Sequence, residues 1–90
     1  MGKLDNLREH DIEGTVFTEP SFEDAIVGYT MQDNVVYDYD KMIVWLMDKY
    51  QINWEEAASF IDENTLRSIP YAPEPRPIIM FKLEDYDAVN

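Results

Sequence analysis

Residues 34–41 read NVVYDYDK, an apolar run that passes into alternating tyrosines and aspartates, and MIVWLMDKY follows at 42–50. The change of period inside this stretch decides the fold. Alternation through 34–39 predicts a strand, in which Val35, Tyr37 and Tyr39 share one face while Val36 and Asp38 take the other. Beyond it Met42, Trp45, Leu46 and Tyr50 recur at helical spacing, with Ile43 and Met47 widening the stripe. Asp40, directly before Lys41, stands where a helix N-cap belongs, its carboxylate able to accept a backbone N–H and to meet the positive end of the helix dipole. Asp38 is then a solvated residue at the end of the strand.

Upstream, AIVGYT (25–30) precedes the polar MQD and predicts a hairpin with the first strand. TVF at 15–17 is a candidate extra strand, and TEPSFED a turn, because Pro20 and Ser21 interrupt a ladder. Residues 1–14 are mostly charged and form either a flexible acidic tail or a short helix over LDNLREH that ends at Gly14.

Downstream, Asn53 and Glu56 have the spacing of a capping box, and Ile52 and Ala57 sit at the staple positions. Trp54, Ala57, Ala58 and Ile61 define one face of this second helix, with Phe60 beside it. Trp45, Tyr50, Trp54 and Phe60 therefore read as core aromatics. The link from Tyr50 to Asn53 is short enough that the two helices pack as a hairpin or at a steep angle. Asn64 is expected to end the second helix in a left-handed cap, with TLRS as one further turn. Pro70 then forces PYAPEPRP into an extended connection. PIIMFKL (77–83) is a strand apolar on both faces, which places it centrally or under cover, and EDYDAVN (84–90) is expected to fray. The expected class is α+β, in the order β-β-α-α-β: one domain over 15–83, its sheet of three or four strands covered on one face by two helices.

Ninety residues hold one core, and a 46% hydrophobic content is too rich for a disordered chain despite a net charge of −12. The absence of cysteine excludes disulfides and thiolate chemistry. No segment resembles a signal peptide or a membrane span, so a soluble cytoplasmic protein is expected. With 19 acids against seven cations, the field repels nucleic acid and anionic membranes and favours a basic protein partner. A monomer or a weak homodimer, pairing through the exposed hairpin edge, is expected.

Catalytic chemistry has little to stand on. Asp38 and Asp40 offer two oxygens to a hard cation, but no glycine or bidentate glutamate follows at EF-hand offsets, so no metal and no cofactor are expected. His10 is the only imidazole and lies in the charged N-terminal segment, while the three glycines stand too far apart for a phosphate-cradling loop. The expectation is a protein that is not an enzyme. A small metal-binding or enzymatic domain using paired carboxylates is the alternative.

FIDENTLRSIPY (60–71) has the most unusual composition. Arg67 lies within reach of Asp62, Glu63 and Asn64. The group forms either a polar network that fixes the helix exit, with Tyr71 packed back on it, or a recognition surface, since arginine and tyrosine are enriched at interface hot spots. The candidate partner-binding residues are Asp38, Asp62, Glu63, Arg67 and Tyr71; Asp40, Asn53 and Glu56 are the candidate caps.

From SFEDAIVGYT through YDYDKM to FIDENTLRSIPY and PIIMF, residues 21–81 resemble a family of small acidic proteins from Gram-positive bacteria, their phages and mobile elements. Members share a strand ending in YDYDKM, an acidic helix and a segment F-I-D-x-N-T-[LI]-R-x-[LI]-P-Y. Many carry an aromatic residue where this chain has Glu63. The resemblance implies no catalytic residues. It implies a short accessory protein of mobile DNA that acts by binding another protein, with inhibition of a defence protein by DNA mimicry as an alternative. Mimicry would require carboxylates in ordered rows to match duplex DNA, with its charge every ~1.7 Å.

Overall fold

Asp38 is both the last residue of a strand and the cap of the helix that follows, and the fold is organised around that joint. The computed structural model describes residues 2–83. Along the chain it forms α1 (Lys3–Glu9), β1 (Ile26–Tyr29), β2 (Val35–Asp38), α2 (Tyr39–Tyr50) and α3 (Trp54–Phe60). A π-helical turn (Ile61–Thr65), one last α turn, α4 (Leu66–Ser68), a 3₁₀ turn (Ile69–Tyr71) and β3 (Ile78–Met80) complete it. This is an α+β domain. Residues 84–90, expected to fray, lie outside the described residues.

The sheet order is β1-β2-β3, with β1 antiparallel and β2–β3 parallel. Ile26 pairs with Tyr37 and Tyr29 with Val35, and a bulge between Ile26 and Gly28 absorbs the register shift. A parallel neighbour needs a long crossover, which the helices supply between β2 and β3. Since the hairpin already occupies one side of β2, the returning chain takes the other and becomes an edge. PIIMFKL is therefore not a central or covered strand: Ile78, Phe81 and Leu83 are exposed.

The alternation expected from NVVYDY holds for Val35 and Tyr37, both fully buried, and ends there because Tyr39 already belongs to α2. Met42, Ile43 and Leu46 of α2, with Ala57 of α3 and Ile61, close over the sheet face that carries Ile26, Val35 and Tyr37. Burying each large apolar side chain contributes roughly 1.5–3 kcal/mol before entropy is counted. Trp54, Tyr50 and Phe60 are exposed rather than core. Trp54 is the first residue of α3, and Ala57 is the residue of that helix that is buried. Of the aromatics expected in the core, Trp45 alone packs against it.

Phe22 takes a core position that its turn-like surroundings conceal. Its backbone is left-handed (φ 51°, ψ 34°), yet its ring is fully buried, 5.8 Å from the Phe17 ring and 5.4 Å from Trp45. The burial offsets a backbone cost of about 1–2 kcal/mol.

The N-terminal segment forms the short helix α1, and Leu7 reaches the core. Lys3 Nζ donates to the Ile26 carbonyl at 2.7 Å, and the His10 ring lies 5.8 Å from that of Tyr29. The chain's own N-terminal segment thus lies beside part of the hairpin edge that was read as open for a second copy.

TVF forms no strand, and the sheet has three strands among the described residues. Its hydrogen bonds go elsewhere. Proline carries a carbonyl but no N–H, so the proline-rich connection presents acceptors: the Thr15 amide donates to Pro75 O (2.9 Å) and Thr15 Oγ1 to Pro73 O (2.8 Å). Asn34 Nδ2 donates to Arg76 O at 2.9 Å, tying the hairpin loop to the same connection. Gly14 lies so close to the Asp33 carbonyl that a Cβ there would run into it.

Candidate functional site

The π-helical turn arises where the sequence was expected to stop a helix. Asn64 does not adopt the left-handed conformation. Instead its side-chain Nδ2 donates to the Phe60 carbonyl at 3.2 Å. In an α-helix that carbonyl receives the backbone amide of Asn64 itself, so the side chain competes for the acceptor and the turn widens. The chain stays right-handed through Ile61, Thr65, Leu66, Ser68 and Ile69, all with helical dihedrals. Thr65 and Ile61 are turned inward and buried. Widened turns of this kind occur often at functional sites.

The outer face of this widened helix forms one wall of a groove of about 480 Å³. Phe60, Asn64, Ser68 and Tyr71 line that wall, and the segment from Thr15 to Pro20 lines the other, with Phe22 at the base. The second wall is held by the Phe17 amide, which donates to the Tyr37 phenol oxygen at 3.0 Å. Burial pushes the Tyr37 phenol up to about 12, with the Phe17 N–H partly opposing the rise. Glu19 is the one carboxylate that lines the groove, beside the Tyr71 phenol, and no cation lines it.

The residues read from the sequence distribute unevenly over this arrangement. Tyr71 stands at the groove, 89% exposed, and does not pack back on the helix exit. Asp62 is exposed and accepts from the Tyr39 hydroxyl at 3.0 Å rather than from Arg67. The Tyr39 ring lies 4.8 Å from that of Phe81, and burial first, with Asp62 second, raises its phenol above the ordinary range. Glu63 and Arg67 are exposed, and Arg67 makes no ion pair among the described residues. The polar network expected around Arg67 is therefore not formed: on this helical run Asp62 faces Tyr39, and Asn64 is occupied by Phe60.

Asp38 requires the clearest correction. It is 5% exposed and is not a solvated residue open to a partner: its Oδ1 accepts the Lys41 amide at 3.2 Å and caps α2. Asp40, read as the cap, lies in the first helical turn, exposed to solvent. The physical reason is that helix geometry starts one residue after the last strand pair, so the extended residue three before Lys41 is Asp38. The capping box of α3 forms as read, with Glu56 N donating to Asn53 Oδ1 (2.8 Å) and Asn53 N to Glu56 Oε1 (3.0 Å).

Sequence reasoning missed Phe60, Asn64 and Ser68 as a surface. Their spacing of four fits one helix face, but the proposed helix end at Asn64 divided them. Among the described residues there is no group of three or more His, Asp or Glu side chains placed to hold a metal ion, and no helix is long and apolar enough to cross a membrane.

Comparison with family models, with curated proteins and with solved structures finds no match to the chain. The site therefore rests on its own geometry.

Proposed function

We propose that this chain is a non-enzymatic interaction domain that binds a basic protein. The observation that supports it is the excess of 19 acidic over seven basic residues on a domain of 90, a field that concentrates cationic partners and speeds their encounter. The resemblance of residues 21–81 to small proteins of Gram-positive bacteria and their phages supports an accessory role in mobile DNA, where the partner is a host or phage protein.

The test is retention of basic proteins, from a lysate of the organism that carries the gene, on the immobilised domain across a salt gradient. The expected result is one or a few specifically retained basic proteins whose affinity falls steeply between about 50 and 500 mM salt, as screening of a charge-steered contact requires. Retention that salt leaves unchanged would count against a basic partner. Competition by duplex DNA for the same partner would mark DNA mimicry.

A further inference from the structure

The outer face of α2 differs in charge from the molecule as a whole. Lys41, Val44, Trp45, Asp48 and Lys49 recur along it at helical spacing, away from the buried Met42, Ile43 and Leu46, and Asp24 of the 3₁₀ turn Glu23–Ala25 joins them. Two aspartates and two lysines cancel here, on a domain that carries −12 in total. Arg8 and Arg76 are paired with Asp5 and Glu74 of the same chain, whereas Lys41 and Lys49 make no ion pair among the described residues. Lys49 Nζ lies instead 5.4 Å from the centre of the Trp45 ring. Between the charges, Val44 is 57% exposed and Trp45 is half-buried.

We propose that this face binds a second copy of the chain, α2 against α2, antiparallel across a two-fold axis. Each surface in such a contact must complement itself. The charges along α2 do so when their order is reversed. Lys41 and Asp48 are separated by close to two full turns, so they stand one above the other on the exposed side of the helix. Their midpoint falls between Val44 and Trp45. A two-fold axis at that point sets Lys41 of each copy against Asp48 of the other and gathers Val44 and Trp45 of both at the centre. A parallel pair would set lysine against lysine and aspartate against aspartate. Two chains of −12 repel one another, and a contact on this face places their neutral surfaces together. The weak homodimer expected through the hairpin edge is thereby reassigned to α2, and the excess of acid is left outside the contact for a basic partner.

Sedimentation equilibrium of the whole chain up to about 1 mM, in about 0.15 M salt, tests this. At that ionic strength the diffuse repulsion is screened beyond about 8 Å while touching ion pairs persist. The expected result is a monomer–dimer equilibrium of the 10.6 kDa chain. Lys41→Asp and Asp48→Lys are both exposed changes, each of which places like charges together twice in the dimer. Each alone is expected to weaken association about tenfold or more, with a melting temperature near that of the wild type. An equal mixture of the two variants is expected to regain dimers, as is the chain that carries both changes, because either combination restores opposite charges in the antiparallel register. A wild type that stays monomeric up to about 1 mM overturns the proposal and leaves the face to a partner of another kind. A dimer that the single variants leave at wild-type strength, or that neither the mixture nor the double variant restores, overturns it as well. The basic-partner reading is tested separately by the salt gradient and stands or falls on that result.

Discussion

The backbone amide of Phe17 donates to the phenol oxygen of Tyr37 across 3.0 Å, so a fully buried residue of the central strand anchors the wall of the groove. Tyr37→Phe keeps the ring and removes the acceptor. It is expected to cost about 1–3 kcal/mol in urea denaturation, mostly from the orphaned Phe17 N–H, and to speed amide exchange at Phe17.

The same phenol sets a pH dependence at the alkaline end. Its folded pKa, about 12, lies above the ordinary value of 10.0, so folding favours the protonated form. That contribution is complete below pH 10 and is lost as the pH rises from there to about 12. Tyr39, also raised, adds in the same direction. Melting curves between these limits are expected to fall more steeply for the wild type than for Tyr37→Phe; equal slopes would show that the phenol ionises as readily folded as unfolded.

Asp38→Ala and Asp40→Ala separate the two carboxylates of the joint. Asp38→Ala removes the acceptor of the Lys41 amide and is expected to cost about 0.5–2 kcal/mol, whereas Asp38→Asn retains an acceptor oxygen and most of the stability. Asp40→Ala removes only a favourable charge in the first turn of α2 and is expected to cost about 0.3–1 kcal/mol at low salt, less as salt rises. A larger loss at Asp40 would restore it as the cap.

At Gly14 no side chain fits, because the first carbon would meet the backbone carbonyl of Asp33, which the tight hairpin loop holds in place. Gly14→Ala is expected to destabilise by about 1–3 kcal/mol, the usual range for a forced backbone shift, with the loss visible as a lower urea midpoint at unchanged slope.

Arg67→Ala is expected to change stability by no more than about 0.5 kcal/mol, the ordinary effect of a surface substitution away from any partner. A drop of several degrees in melting temperature would reveal a structural role for the guanidinium.

What was legible in the sequence follows from the range of the interactions concerned. The hairpin, α2 and the capping box of α3 are encoded within a few residues, by alternation, by helical spacing and by Asn53 and Glu56 three apart, and all are present. Reading the cap failed by two residues because strand and helix overlap at Asp38 without a loop to separate their signals. The groove was not legible. Its walls come from residues about 45 apart in the chain, and its shape depends on a single side chain, Asn64, competing for one carbonyl. Phe22 was hidden for a related reason: its neighbours have turn chemistry, and only the packing of Phe17 and Trp45 around its ring makes it core.

Because Asp38 closes the sheet and opens the helix at once, the strand and α2 meet at a joint of zero length. One residue inserted after Asp38 would turn α2 by about 100° about its axis, carrying Met42, Ile43 and Leu46 off the sheet and bringing charged neighbours round toward it. Homologous chains should therefore tolerate length variation in the hairpin loop or the proline-rich connection, but keep an invariant count of residues between Tyr37 and Met42.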